Sequence, residues 1–167
     1  AAAAAATAAV CTAGGDVTAA AARLGLDFES LRRVNPRIVH ACATGFRPGT
    51  SKAEDPAYDD IIQAASGLAD LQTVVAGQPR FMPTILADKV SGLHAAMGIL
   101  AALHHRQRTG QGQEVQVPMF ETMAAFNMME HQWAHVFEPA QGPMGYQPVS
   151  TASRRPYRTQ DGFLAVL

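Results

Sequence analysis

The chain has 167 residues, a net charge of -1, 48% hydrophobic residues and 16% charged ones. That is the composition of one globular domain able to bury a core, not of a disordered tail. No run reaches the ~18 unbroken apolar residues of a membrane-spanning helix, and a near-neutral charge sets up no field to attract nucleic acid or an anionic bilayer. Neither a membrane nor a nucleic-acid partner is expected. Cys11 and Cys42 are too few for a disulfide framework and lie in no Cys/His cluster of zinc spacing. They read as small buried apolar residues of a reducing compartment, with the cytoplasm as default and no metal expected.

Eight of the first ten residues are Ala, and segment 1–22 has few side chains able to fill a core. It is set apart as an Ala-rich stretch of placeholder character, although Ala by itself suits a helix. Its order of residues is not that of a signal peptide, which starts with charge and continues with a Leu-rich middle. Asp27 then caps a short helix through Arg33, closed by Asn35-Pro36, and residues 37–43 read as a buried strand ending at Gly45. Residues 47–56 lack an apolar period and form a surface loop. A helix starts near Tyr58, with Ile61, Ile62, Ala65 and Leu68 at helical spacing and Gly67 near its end.

Residues 88–106 form a long helix with apolar residues almost all round, which predicts burial between layers. Gly92 and Gly98 are expected to admit another backbone closely. The turn 109–113 leads to an alternating strand, Glu114-Val115-Gln116-Val117, and Pro118 opens a last helix that fades at Glu138-Pro139. Helix, turn, strand, helix is an α/β pattern. After the turn signal Gln160-Asp161-Gly162, the apolar run Phe163-Leu164-Ala165-Val166-Leu167 reads as a strand at which the chain stops, the mark of a piece of something larger.

The position with most chemical content is Asp88, where the run Pro83-Thr84-Ile85-Leu86-Ala87 enters the long helix. A helix N-terminus favours negative charge, so a carboxylate there stays ionised even when partly desolvated. A desolvated carboxylate is a competent nucleophile for acyl or phosphoryl transfer. The plainer role from position alone is a helix cap.

The run Ala87-Asp88-Lys89-Val90-Ser91-Gly92 is followed by Ala96-Met97-Gly98-Ile99-Leu100-Ala101-Ala102-Leu103, then Arg106, Thr109-Gly110-Gln111-Gly112-Gln113 and Val115-Gln116-Val117-Pro118-Met119. This series resembles family III CoA-transferases, the CaiB/BaiF group. Upstream elements agree: Arg23-Leu24-Gly25-Leu26, Leu31, Asn35-Pro36-Arg37, Thr44-Gly45-Phe46, Tyr58-Asp59 and Ser66-Gly67-Leu68. The resemblance runs from about Arg23 to the C-terminus and leaves 1–22 outside. It implies an α/β fold, part of a Rossmann-like family III large domain as a fragment, with 23–138 as the core and 139–167 as linker and start of a smaller domain.

The resemblance implies that Asp88 is the catalytic carboxylate. It attacks an acyl-CoA thioester to give a mixed anhydride, the released thiolate forms an aspartyl-CoA thioester, and an acceptor carboxylate completes the exchange. Coenzyme A is then a substrate, with no permanently bound cofactor, and the partners are an acyl-CoA, a carboxylic acid and a second copy in an interlocked homodimer. Backbone N–H groups around Val90 to Gly92 are candidates to stabilise the oxyanion. The family's α-methylacyl-CoA racemases pair the same aspartate with a histidine placed just before an Asp. Here that place, in Ala57-Tyr58-Asp59, holds Tyr58. An ordinary tyrosine, with a pKa of ~10, is a poor base at neutral pH, so transfer is favoured over racemisation. By the same correspondence Pro56, Ala57, Tyr58 and Asp59 line the CoA site and Arg23 lies near its phosphates, where a guanidinium suits bidentate contact. The preceding Gly14-Gly15-Asp16-Val17 departs from the family pattern.

Other features carry less chemistry. His131 and His135, four apart on a helix, lack a third zinc ligand and read as structural or surface histidines. His104-His105 suits a helix C-terminus. The glycines at 110 and 112 lack the Lys-Ser/Thr of a phosphate loop, and Met119, Met123, Met128 and Met129 read as core filler. The competing reading in another class is a non-catalytic fragment, since the family's upstream segment and the glycine-rich loop over the aspartate are not in this sequence.

Overall fold

The computed structural model describes residues 7–10 and 17–166. Three parallel strands form its sheet in the order β1-β2-β3: β1 (Thr7–Val10), β2 (Val39–Thr44) and β3 (Gln113–Pro118). Parallel neighbours need crossovers. The first is made by α1 (Val17–Arg23) and α2 (Phe28–Val34), the second by α3 (Asp59–Ala65), α4 (Leu68–Leu71), α5 (Thr73–Ala76) and α6 (Leu86–Thr109). After β3 come α7 (Met119–Gln132) and a 3-10 turn, Trp133–Val136. A two-stranded antiparallel hairpin, β4 (Tyr157–Arg158) with β5 (Phe163–Leu164), closes the described chain around the expected Gln160-Asp161-Gly162 turn. The mixed α/β architecture anticipated from the element pattern is the one observed.

Several boundaries follow from single residues. The Asp27 side chain accepts from the Ser30 N–H at 3.0 Å and starts α2. Gly110, at φ 77, ends α6 with its N–H on the Arg106 carbonyl. Gly112 passes so close to the Ile38 carbonyl that no Cβ fits, and its N–H bonds the Pro36 carbonyl at 2.9 Å. This contact sets the start of β3 beside that of β2.

Residues 1–22 do not stand wholly apart: β1 pairs with β2 from Thr7 opposite His40 to Val10 opposite Ala43. The Ala run 19–22 supports α1. Cys42 is half-buried on β2 instead of buried, and Cys11 lies outside the described residues.

The helix expected from Tyr58 through Leu68 stops at Ala65, because Gly67 adopts φ 83 and starts α4. Ile62 is fully buried while Ile61, 100° round the helix, is exposed. The core gathers Phe46, Ile62, Leu68, Ala87, Val90, Met119 and Met123. Of the four methionines, Met128 and Met129 are exposed and only Met119 and Met123 fill the core.

The prediction that α6 is buried between layers fails in this chain. The helix packs on β2, β3, α3 and α7, yet Leu93 and Leu100 are 67% and 66% exposed, and only Ala87, Val90, Ser91 and Ala102 are buried. One layer covers it and its opposite face is open. Gly98 meets the Val115 side chain rather than a backbone, and nothing lies within 4 Å of where a Cβ at Gly92 would stand. By length and composition α6 would suffice to cross a membrane, so a search for unbroken apolar runs is too strict a filter. Its contacts with the sheet are those of a helix in a layered α/β domain.

Candidate active site

The site lies at the carboxyl end of the parallel sheet, where open α/β folds bind their ligands. β2 ends at Thr44, and the Gly45 carbonyl accepts the Phe120 N–H at 2.9 Å, tying α7 to that end. A Cβ on Gly45 would collide with Ala57, so the absence of a side chain lets segment 56–59 lie against the strand end. Tyr58 is the N-cap residue of α3 and is 61% exposed; Pro56 is exposed, Ala57 packs on the core, and Asp59 turns inward at 8% exposure.

Asp59 accepts the main-chain N–H of Asp88 at 3.0 Å through Oδ2, while its Oδ1 accepts from Gln63 Nε2. One helix therefore caps another, because the carboxylate of α3 satisfies an N–H that the first turn of α6 leaves open. Asp88 itself is the third residue of α6, half-buried, and among the described residues no hydrogen bond ends on its carboxylate. It is not the helix cap, and its oxygens are available to a ligand.

The helix N-terminus is not the dominant influence on the Asp88 carboxyl. Burial in the first place, and the facing charge of Asp59 in the second, raise its carboxyl above the ordinary carboxylate value. The oxyanion role given to Val90 to Gly92 is also displaced. Since α6 begins at Leu86, these residues lie inside it, with their N–H groups turned to carbonyls one turn back. Nearer the start, the Leu86, Asp88 and Lys89 N–H groups bond Thr84, Asp59 and Ile85 respectively.

The structure thus brings together Ala57, Tyr58, Asp59 and Asp88. It does not join Arg23 to them: this exposed residue ends α1, and among the described residues it makes no ion pair with the carboxylates. Reading the sequence missed Gln63, which binds Asp59, the Thr84 carbonyl and the Met82 N–H. The four-residue spacing of Asp59 and Gln63 on one helix was the available signal. His131 is engaged with the Gly67 carbonyl at 2.7 Å, a structural role.

The model of CoA-transferase family III matches residues 5–167. The chain belongs to this family. The match takes in most of segment 1–22, which the resemblance had left outside. An acetyl-CoA:oxalate CoA-transferase of Acetobacter aceti is 35% identical over 139 residues, covering 81% of this chain and 33% of that protein. A succinate–glutarate CoA-transferase of Agrobacterium fabrum is 35% identical over 104 residues, 62% of this chain and 26% of its own. Among solved structures, a CaiB/BaiF family protein from Brucella suis superposes with a TM-score of 0.74 at 26% identity, covering 93% of this chain and 40% of that one. The chain spans about a quarter to a third of the length of the curated relatives it matches, and its α/β fold corresponds to about 40% of the solved CaiB/BaiF family chain.

Proposed function

We propose that the protein carrying this chain moves coenzyme A from an acyl-CoA donor to a carboxylic acid acceptor, with Asp88 as the nucleophile. The observation that carries this reading is the free, half-buried Asp88 carboxylate at the carboxyl end of the sheet, its main chain held by Asp59. Membership of family III and the names of the relatives support it.

An Asp88 oxygen attacks the thioester carbonyl, the C–S bond breaks, and the leaving CoA thiolate is replaced by a mixed anhydride. The thiolate then attacks the aspartyl carbonyl, expels the donor's carboxylate and leaves an aspartyl-CoA thioester. An acceptor carboxylate attacks that thioester and releases the thiolate, which attacks the acceptor's carbonyl in the new anhydride. This gives the product acyl-CoA and frees Asp88. Thioester and anhydride are both activated acyl groups, so no step is steeply uphill. Partial desolvation makes the ionised carboxylate less stable and so a stronger nucleophile.

Pro56, Ala57, Tyr58 and Asp59 belong to the CoA-binding wall in this reading, and Arg23 to its phosphate end. The core of this reading is 23–138 extended by β1 and α1, which belong to the same sheet and its first crossover, with 139–167 leading into a smaller domain. The working protein is an interlocked homodimer of the cytoplasm with no resident cofactor.

The test is mass spectrometry of the full protein incubated with a set of acyl-CoAs, with Asp88→Ala as control. A CoA or acyl adduct on the Asp88 peptide, absent in the variant, is expected. Deuterium uptake next to the thioester carbonyl without any adduct would replace this reading by racemase-type proton transfer.

A further inference from the structure

We propose that Gln63 is a positioning residue for this transfer, acting through Asp59 and through the turn 82–84 to hold Asp88 in one orientation at the start of α6. The inference rests on Asp88 being the nucleophile.

Gln63 is fully buried, at 0% exposure, so it cannot touch substrate. Its amide is nonetheless used on every side. Nε2 donates to Asp59 Oδ1 and to the Thr84 carbonyl, the latter at 3.2 Å, and Oε1 accepts the Met82 N–H at 2.8 Å. The orientation of the amide follows, because Met82 N–H can only donate and the Thr84 carbonyl can only accept. Both segments that reach Asp88 are held by this one group. The turn 82–84 runs directly into α6, and Asp59 caps it through the Asp88 N–H. A carboxylate cannot donate to Asp59 and Thr84, and an apolar side chain supplies neither function. Only a primary amide of this length fits all three partners. A small displacement of a reacting group is enough to cost about 100-fold in rate.

The experiment measures kcat, KM for the acyl-CoA donor and the pH profile of kcat for the full protein, Gln63→Met and Gln63→Glu, with folding followed by circular dichroism. Gln63→Met keeps the length of the side chain and removes the hydrogen bonds. It is expected to lower kcat by about 10- to 100-fold while KM changes by less than about 3-fold. Gln63→Glu keeps the shape but sets a carboxylate against Asp59. When it holds a proton it can donate to Asp59 and accept the Met82 N–H, and so restores the amide's role in part, without the bond to the Thr84 carbonyl. Its kcat is expected to fall at neutral pH, and the ratio of its kcat to that of wild type at the same pH is expected to rise as pH is lowered, a trend that a packing role would not produce. The ratio cancels the loss both proteins suffer when Asp88 itself takes a proton. Should Gln63→Met fail to fold, the pH profile of Gln63→Glu decides. Folded variants with wild-type kcat, or a Gln63→Glu to wild-type ratio of kcat that does not rise in acid, overturn the proposal. Adduct formation at Asp88 in wild type separates the two failures: without it the nucleophile reading itself falls, and with it only the role of Gln63 does.

Discussion

The main-chain N–H of Asp88 donates to the carboxylate of Asp59 across 3.0 Å. One acid thus caps the helix whose first turn carries the other. The arrangement leaves the Asp88 oxygens free and, through the facing charge, adds to the burial that already resists their ionisation.

That relationship predicts a pH dependence. A carboxyl raised in the folded state holds its proton more tightly there than in the unfolded chain. The stability this contributes is fully present below the unfolded value and is lost as pH rises through the raised native one. Asp88→Asn removes the titration. Its melting temperature relative to wild type is expected to climb between acid and neutral pH, by a few degrees at most, because water screens a half-exposed carboxylate. Parallel melting curves for the two proteins across that window would contradict the raised carboxyl.

Two glycines should respond in opposite directions. Gly92 lies inside α6 with nothing near its missing Cβ, so Gly92→Ala is expected to add about 0.5–1 kcal/mol through helix propensity. Gly112 faces the Ile38 carbonyl, main chain that cannot retreat without disturbing the pairing of β2 with β3. Gly112→Ala is expected to cost about 2–3 kcal/mol or more. Urea midpoints of both variants against wild type measure the contrast.

His131 bonds the Gly67 carbonyl while Asn127, one turn earlier on α7, donates to the Ser66 carbonyl at 2.9 Å. The pair holds the turn that ends α3. His131→Leu leaves a carbonyl without its partner and is expected to cost about 1–3 kcal/mol. Neither zinc nor a chelator should move the wild-type denaturation midpoint. A midpoint raised by zinc in wild type and not in the variant would restore a metal role to His131.

The legible parts of the fold were those with local causes. Asp27 started α2, Gly110 ended α6, and Pro118 opened α7, each through contacts within a few residues. The position of Asp88 in the first turn of a long helix was equally readable. Periodicity misled where it asked only which residues are apolar. Leu93 and Leu100 satisfy a buried helix, but a face becomes buried only when another element covers it, and here one layer does so.

The α/β class, the main helices and strands α2, β2, α3, α6, β3 and α7 in their order, and the candidate nucleophile were determined by the sequence itself, since capping, turns and hydrophobic period act over short stretches of chain; β1, α1, α4 and α5 were not. The surroundings of Asp88 were decided by tertiary structure alone. Its cap comes from Asp59, 29 residues earlier, and the Gln63 clamp spans 21 residues to Thr84. Such bonds form only after the β2–α3 connection and the 82–84 turn are packed against the same end of the sheet. The same packing desolvates Asp88 and brings a second charge up to it, which is why its carboxyl rises where helix position alone argued for the opposite.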